Sequence, residues 1–364
     1  MHAMATLQQK IGQMLLVGCQ GEALTRAERL AFEQCSFGGF ILFENNCCEP
    51  RQILSLCRNL WQCAPAEPPL IAIDQEGGRV HRLPPPFTRF PAATMIGERN
   101  DPNLAYQLGH AAARELSLAG INLNFAPVLD VNSNPQNPVI GDRSFAVNAG
   151  RVIEMSVAWT RGLRDGGIIP CGKHFPGHGD TDQDSHFDLP AVEKSLDALM
   201  QVDLPPFVHA CRNEIESLMT AHVRFVALDR DLPATLSEPI VGGLLRRQLG
   251  YDGVVFSDAM EMQAISGNYG LEDAALRAVR AGVDILLYGH DLHSAIRAFE
   301  FLCAEAERRP VLRAQVENSY RRITELKRRQ LKGLTGVSDE ALREQLKRWD
   351  HRRLVDAVQP GFRS

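Results

Sequence analysis

A chain of 364 residues with a net charge of −5 has the length for one large α/β barrel or for two ordinary domains. The modest charge, and the lack of a basic block with neighbouring aromatic residues, argue against nucleic acid as a partner. The sequence holds no apolar run long enough to cross a bilayer. Nine cysteines without framework spacing predict reduced thiols, and therefore a cytoplasmic protein.

The first apolar run contains a feature that could mislead. Leu16-Val17-Gly18-Cys19 superficially resembles a lipoprotein cleavage site. The apolar stretch before it is too short for a signal peptide, because Gln8, Gln9, Lys10 and Gln13 interrupt it. We therefore expect the first strand of the fold here.

Short apolar runs recur along the chain and alternate with helical patterns. This alternation predicts parallel strands joined by right-handed crossovers. A doubly wound sheet would alternate in the same way, but its usual Gly-x-Gly-x-x-Gly turn after the first strand is missing. We therefore expect a (β/α)8 barrel of the TIM type, an α/β fold. The predicted strands are 14–19, 38–43, 70–74, 122–127, 168–175, 218–223, 253–258 and 284–289, and predicted helices include 27–33, 50–63, 104–118, 149–164, 238–249 and 271–281.

The end of the chain has a different character. From about residue 304 to residue 357 it is rich in Arg and Glu with helical periodicity, and Gly333 and Gly336 bracket a predicted turn. We predict a barrel domain over residues 1–303 and a helical C-terminal extension over 304–364, packed on the barrel or on a partner subunit. The sequence leaves open whether the protein is a monomer or a dimer.

The most unusual stretch is the polar loop that follows the fifth predicted strand. Residues 171–190 hold three histidines and four aspartates, a composition that a packed core does not require. One interpretation is a solvated acidic loop. A second is a metal site, because imidazole and carboxylate groups are ligands that zinc or iron accept. The third is a proton-transfer dyad in which Asp184 orients His186, whose ordinary pKa of about 6.5 suits it to give and take a proton near neutral pH. The metal interpretation would use His174, His178, Asp180, Asp182, Asp184 and His186.

Reactive side chains also fall at the C-terminal ends of other predicted strands, the face of a barrel that carries the chemistry. Asp258 ends a nearly continuous apolar run, so we predict a nucleophile or an electrostatic stabiliser there. Its alternative role is an N-cap for a helix over 259–265. Several basic residues predict a polar ligand with hydroxyl or anionic groups, and both sugars and phosphates fit. They are Arg79, Arg82, Arg143 and Lys173.

Six motifs, in order along residues 8–290, resemble the glycoside hydrolase family 3 β-N-acetylhexosaminidases. Together they are far more specific than any one of them. They are Asp74-Gln75-Glu76-Gly77-Gly78-Arg79-Val80, Gly141-Asp142-Arg143-Ser144-Phe145, Lys173-His174-Phe175-Pro176-Gly177-His178-Gly179, Asp184-Ser185-His186, Met219-Thr220-Ala221-His222 and Phe256-Ser257-Asp258.

The resemblance implies a retaining enzyme that removes terminal β-linked N-acetylglucosamine through a covalent glycosyl-enzyme intermediate. Asp258 matches the family's nucleophile, and His186, held by Asp184, matches its acid/base. The family mechanism requires no metal and no cofactor. Further positions match residues that hold the sugar, namely Asp74, Arg82, Arg143, Lys173 and His174.

The chemistry of retention agrees with this carry-over. It needs one carboxylate at the anomeric carbon and one proton donor that later acts as a base toward water. A donor on the glycine-containing loop 176–188 could close over the substrate and open to release the product. In the resemblance, the family's β-glucosidases usually carry a further domain that supplies a glutamate acid/base, so the internal His-Asp dyad and the expected lack of that domain favour the N-acetylglucosaminidase branch. For a cytoplasmic enzyme of that branch, the resemblance implies anhydromuropeptides of cell-wall recycling as substrates.

Three other functions remain open from the sequence. A histidine acid/base does not repel phosphate, so a glycoside phosphorylase could use the same residues. A metal-dependent hydrolase on the same barrel would use the histidine-rich loop as ligands. A sugar-binding protein without activity is the third, although both presumptive catalytic residues are present.

Overall fold

The computed structural model describes residues 5–64, 67–181, 189–331, 337–349 and 351–358. Eight parallel strands close into a barrel, which we number β1 to β8 in chain order. Closure is direct, since Leu15 and Leu16 of the first strand pair with Leu286 and Leu287 of the last. The strands are β1 Leu15–Gly18, β2 Gly39–Leu42, β3 Leu70–Ile73, β4 Leu123–Asn124, β5 Ile169–Phe175, β6 Ser217–Thr220, β7 Val254–Ala259 and β8 Ile285–Tyr288.

The barrel confirms the fold predicted from the sequence, and each predicted strand overlaps an observed one. Every residue of seven strands is buried, and the eighth, β7, is partly exposed only at its last two residues, Asp258 and Ala259. Parallel strands are covered by side chains inside the barrel and by helices outside it, so they are apolar on both faces. The shortest strand, β4, has only two residues. The core therefore fills the barrel and the layer between strands and helices.

Helices surround the barrel and connect its strands. Thr25 begins one of them with a capping box, in which its side chain and that of Glu28 satisfy each other's backbone N–H groups. A helix with π-type hydrogen bonding spans Pro239–Gln248, and Ala191–Val192 pairs with Arg224–Phe225 in a small parallel sheet outside the barrel. The α-helices are α1 Leu7–Gln13, α2 Arg26–Cys35, α3 Pro50–Gln62, α4 Ala93–Arg99, α5 Pro102–Leu118, α6 Ala149–Asp165, α7 Leu196–Gln201, α8 Pro205–Arg212, α9 Gln263–Ser266, α10 Leu271–Ala281, α11 Leu292–Arg308, α12 Pro310–Gln330, α13 Asp339–Arg348 and α14 Arg352–Val358.

The C-terminal helices pack against the barrel. Helix α12 contacts α1, α10 and α11, α13 contacts α3, and α14 contacts α4 and α5. Residue 303, the predicted limit of the barrel domain, lies inside α11, and the predicted turn at Gly333 and Gly336 falls outside the described residues. The division into a barrel domain and an extension stays a prediction.

Two sequence features have direct counterparts in the structure. All nine cysteines are free thiols. Within the described ranges, no helix combines the length and the apolar character needed to cross a membrane.

Candidate active site

The predicted site residues gather at one end of the barrel because the parallel strands all point the same way. Asp74 follows β3, whereas Lys173 and His174 lie near the end of β5 and Asp258 near the end of β7. The strands that carry them are close in the barrel order β3, β4, β5, β6, β7. The C-terminal end of a parallel barrel is the face on which such enzymes place their chemistry.

Four charged groups form a paired network at this face. Lys173 Nζ lies 2.6 Å from Asp74 Oδ1 and 2.6 Å from Glu76 Oε1. The guanidinium of Arg143 donates through Nε and Nη2 to the two oxygens of Glu76, each at 2.8 Å. Lys173 and Glu76 are buried, whereas the Asp74 side chain remains 20% exposed. The Asp74 side chain is therefore partly open to solvent, while the buried Lys173 holds it through Oδ1.

The pKa shifts of Glu76, Lys173 and Arg143 all favour the charged forms of these three groups. Burial by itself would raise the pKa of Glu76, but the charges and hydrogen bonds of Arg143 and Lys173 outweigh it and hold this pKa well below its ordinary value. Burial likewise opposes the charge of Lys173, and the neighbouring Asp74 and Glu76 raise its pKa above the usual range. A ligand at this face therefore meets fixed charges at neutral pH.

His174 is oriented by Asp130, a fully buried carboxylate. His174 Nδ1 lies 2.7 Å from Asp130 Oδ2, and the same carboxylate accepts hydrogen bonds from the backbone N–H of His174 at 3.1 Å and of His178 at 2.7 Å. Burial opposes the charge of Asp130, but the neighbouring His174 lowers its pKa overall. Because an ionised carboxylate only accepts hydrogen bonds, His174 carries a proton on Nδ1.

His178 stabilises the start of the polar loop. Its Nδ1 lies 2.9 Å from Thr181 Oγ1, and Asn137 donates to both its carbonyl oxygen and the Thr181 hydroxyl, at 2.8 and 3.1 Å. Burial lowers the pKa of His178 to about 4, so the ring is neutral at physiological pH.

Across the part of the chain that the structure describes, no group of three or more His, Cys, Asp and Glu residues could hold a metal ion. Three of the predicted metal ligands, Asp182, Asp184 and His186, lie outside that part.

Asp258 belongs to β7 and does not cap a helix. The next helix, α9, begins at Gln263 and is preceded by Met262 as its N-cap, so the alternative N-cap role of Asp258 was wrong, and the predicted helix over 259–265 is helical only from Gln263. The backbone N–H of Ala259 donates to Asp258 Oδ1 at 2.8 Å. Burial alone would raise the pKa of Asp258, but the electrostatic influence of His222 and His174 lowers it overall. A half-buried carboxylate that stays ionised at this face can act as a nucleophile.

Comparisons with known proteins agree with this geometry. Residues 6–326 match the model of the glycosyl hydrolase family 3 N-terminal domain. The chain belongs to glycosyl hydrolase family 3. It is 39% identical over 280 residues to the beta-hexosaminidase of Alkalilimnicola ehrlichii. The aligned region covers 75% of this chain and 79% of that protein. Members of the family are glycoside hydrolases, so the strand ends described above are those of a sugar-cleaving enzyme.

Two solved structures of the family extend the comparison. A glycoside hydrolase family 3 beta-N-acetylglucosaminidase from Paenibacillus sp. str. FPU-7 superposes with a TM-score of 0.88 at 40% identity, covering 94% of this chain and 68% of that one. NagZ from Neisseria gonorrhoeae, in complex with N-trifluoroacetyl-D-glucosamine, gives a TM-score of 0.70 at 31% identity, covering 85% of this chain and 98% of that one.

His222 has a structural role at this family 3 site that sequence reasoning did not assign. It follows β6 and is fully buried. Its Nε2 lies 2.9 Å from the carbonyl oxygen of Ala259, and its Nδ1 lies 2.8 Å from Thr235 Oγ1. Since Ala259 also donates to Asp258, His222 holds the backbone on which that carboxylate is placed. The motif Met219-Thr220-Ala221-His222 was the available signal.

Glu76 was also left out of the predicted site, although it links Lys173 to Arg143. Its position in Asp74-Gln75-Glu76, directly after β3, was the signal that could have identified it. Arg82, by contrast, forms no ion pair with the charged network within the described ranges. Its backbone N–H donates to Gln75 Oε1 at 2.8 Å, and its Nε is buried without a hydrogen-bond partner in the described ranges. Asp184 and His186 fall outside those ranges.

Proposed function

We propose that this family 3 enzyme is a retaining exo-β-N-acetylglucosaminidase. The observation that carries the proposal is the ionised carboxylate of Asp258, at the same barrel face as the network of Lys173, Asp74 and Glu76. Such a face combines a nucleophile with fixed charges that can orient hydroxyl groups. The names of the relatives, beta-hexosaminidase and beta-N-acetylglucosaminidase, support the choice of sugar.

The proposed reaction has two displacement steps. In the first, an oxygen of Asp258 forms a bond to the anomeric carbon, the bond to the leaving oxygen breaks, and that oxygen takes a proton from His186. In the second, His186 takes a proton from water, the water oxygen bonds to the anomeric carbon, and Asp258 departs as a carboxylate. Two inversions leave the β configuration unchanged. The roles of His186 and of Asp184, which would hold it, rest on the sequence motif.

The remaining predicted residues would bind the sugar. Asp74 is fixed by Lys173 through Oδ1 and is partly exposed, so it can accept hydrogen bonds from sugar hydroxyls. Asp130 fixes the ring of His174, and Glu76 fixes the guanidinium of Arg143. Preorganised groups of this kind lose little conformational freedom when a substrate binds. Arg82, with its buried and unpartnered Nε, completes the proposed set.

The cellular setting is a further part of the proposal. One relative of known structure is a NagZ protein, and the motif resemblance implies anhydromuropeptides as substrates in peptidoglycan recycling. We propose a cytoplasmic enzyme with a barrel domain over residues 1–303 and a helical extension over 304–364.

A substrate panel tests the proposal. Chelator-treated protein in phosphate-free buffer is given p-nitrophenyl β-N-acetylglucosaminide, with the matching β-glucoside as the control. Turnover of the acetamido sugar, and much slower turnover of the glucoside, is the expected result. Activity that requires added phosphate would indicate a phosphorylase, whereas activity that requires added metal would indicate a metal-dependent hydrolase. Turnover of neither substrate under any condition would contradict the proposal.

A further inference from the structure

A lysine beside the polar loop belongs to none of the six motifs. Lys194 lies shortly before α7, and only 19% of its side chain is exposed. Its ammonium donates to Asp203 Oδ2 at 2.9 Å and to Ser133 Oγ at 3.1 Å, and it lies 3.4 Å from Asp180 Oδ2. We call these four residues the Lys194 cluster.

The cluster joins separate segments of the chain. Ser133 lies in the segment after β4, Asp180 in the polar loop after β5, and Asp203 between α7 and α8. Asp203 is buried, and its Oδ1 has no hydrogen-bond partner within the described ranges. A buried carboxylate needs a counter-charge, and Lys194 supplies it. One side chain therefore links the polar loop to two neighbouring segments.

The start of the polar loop packs onto the same cluster. Gly177 has a φ of 135°, and a Cβ atom there would lie 2.9 Å from Cβ of Asp203. A larger residue at this position would be strained and would push the loop away from Asp203. Asn134, next to Ser133, donates from its backbone N–H to the carbonyl oxygen of Gly179 at 3.2 Å. The loop therefore begins on a fixed path over Asp203.

The chain is fixed again where it returns from the loop. The short strand Ala191–Val192 pairs with Arg224–Phe225, a segment that follows β6. Lys194 lies two residues after this strand, so it links the returning chain to Asp180 at the start of the loop. Residues 182–188 lie outside the described residues. The chain enters and leaves them at points that the Lys194 cluster holds.

This position gives the cluster a connection to the proposed chemistry. Residues 182–188 contain Asp184 and His186, the proposed acid/base pair. A segment whose two ends are held in place has fewer conformations to lose than one with free ends. A general acid acts only when it lies within hydrogen-bond reach of the oxygen that it protonates. Holding the two ends therefore favours the arrangements in which His186 reaches the leaving oxygen.

We propose that Lys194 is a positioning residue for the proton transfer from His186. It acts by holding Asp180 and Asp203, and it does not touch the substrate. The inference rests on the proposed function and deepens it, because it names a residue outside the family motifs on which the first displacement depends. Loss of the lysine slows each substrate according to how much its leaving group needs a proton.

The test compares two aryl β-N-acetylglucosaminides that differ in this need. Phenolate is a strong base and requires the proton, whereas ortho,para-dinitrophenolate is a weak base and leaves without it. Lys194→Met is combined with Asp203→Asn, so that no buried carboxylate loses its counter-charge. In this double variant of the full chain, kcat/KM falls about ten- to hundred-fold on the phenyl substrate and less than about two-fold on the dinitrophenyl substrate. Because kcat/KM covers only the first displacement, the later role of His186 as a base does not enter.

Further variants separate positioning from a general loosening of the fold. Lys194→Arg keeps the charge beside Asp180 and Asp203, so it recovers most of the lost rate on the phenyl substrate. Asp180→Asn, at a side chain that is 27% exposed, leaves the buried pair intact and gives a smaller loss with the same selectivity. Glu193→Gln, at the exposed neighbouring position, is the matched control and keeps the wild-type values on both substrates.

His186→Ala makes the two possible failures distinguishable. The proposed function requires that this variant loses rate on the phenyl substrate and little on the dinitrophenyl substrate. If it does, equal losses on both substrates in the double variant, or no loss on the phenyl substrate, would overturn the role of Lys194 alone. Equal losses in His186→Ala would overturn the acid assignment, and the inference with it.

Discussion

Each end of the barrel holds a carboxylate, but the surroundings of the two carboxylates differ. At the N-terminal end, Asp284 is fully buried and accepts hydrogen bonds from Arg246, Arg322, Ser319 and the backbone of Val255, at 2.5 to 3.2 Å. Two of these donors, Ser319 and Arg322, belong to α12. Asp284 therefore joins the C-terminal helix to the barrel.

Asp258 at the opposite end has a different environment. It is partly exposed, and within the described ranges its carboxylate accepts a hydrogen bond from the backbone N–H of Ala259. Burial opposes its charge, but the electrostatic influence of His222 and His174 lowers its pKa overall. The difference shows that a buried charge by itself does not identify an active site. A carboxylate whose hydrogen bonds are filled by protein stabilises the fold, whereas one that stays ionised and open can react.

Removing Asp258 tests the reactive end and gives the largest expected effect. Asp258→Ala lowers kcat on the N-acetylglucosaminide by about 10⁴-fold or more, because the step that needs the nucleophile is lost. Thermal unfolding changes little. Added azide restores turnover in this variant and yields the α-glycosyl azide, because the small anion attacks from the face that Asp258 occupied. A β-configured product, or full activity without azide, would contradict the nucleophile assignment.

Asp284→Asn tests the structural end. It lowers the free energy of unfolding by about 3–5 kcal/mol, because Arg246 and Arg322 lose their buried counter-charge. Catalysis per folded molecule stays within about two-fold, since the change lies at the other end of the barrel. Urea unfolding and kcat are measured together. Asp252→Asn is the control, because its side chain is 61% exposed and pairs with the same Arg322, so we expect at most about 1 kcal/mol.

Lys327 in α12 gives a pH-dependent test of the same end. Burial lowers its pKa to about 7 from the ordinary 10.5, and its ammonium donates to Gln13. The folded state disfavours the charged form of Lys327, which lowers the free energy of unfolding. This loss of stability is complete below about pH 7 and disappears as the pH rises toward 10.5. The stability of the wild type therefore rises with pH across this window.

Lys327→Met removes this loss of stability. At neutral pH the substitution raises the free energy of unfolding by roughly 2–4 kcal/mol, because each unit of pKa shift corresponds to about 1.4 kcal/mol. It also reduces the increase in the free energy of unfolding between about pH 7 and pH 10. Lys347→Met, at an exposed position of α13, is the matched control and keeps the wild-type slope. An unchanged slope in Lys327→Met would show that another group titrates there.

The strands were predictable because buried parallel strands are continuous apolar runs. Helix α10 also began and ended at the predicted residues, Leu271 and Ala281. The segment after Asp258 was not predictable from its local pattern, since pairing with β8 extends β7 through Ala259 where we expected a helix. Tertiary pairing overrides local preference in such places.

The identities of most predicted site residues followed from motifs, but their partners did not. Lys173 pairs with Asp74 across 99 positions of sequence, and Arg143 pairs with Glu76 across 67. No local pattern specifies such choices, because they depend on which strand ends the closed barrel brings together. The same reason explains why the contacts of Lys194 became visible only in three dimensions.

Among the tests of the reactive end, substitutions of His222 have the smallest expected effect on activity, and they distinguish an electrostatic role of this residue from a purely structural one. His222→Phe removes the hydrogen bond to Ala259 and the one to Thr235, which costs about 1–3 kcal/mol in positioning, or about a ten- to hundred-fold loss of kcat/KM. It also removes the strongest influence that lowers the pKa of Asp258. The pKa of Asp258 therefore rises, and since Asp258 must be ionised to react, the acid limb of the kcat/KM profile moves to higher pH. His222→Gln, which can still donate to Ala259, recovers part of the rate but leaves the acid limb displaced. A purely structural role for His222 would lower the rate in both variants without moving the limb.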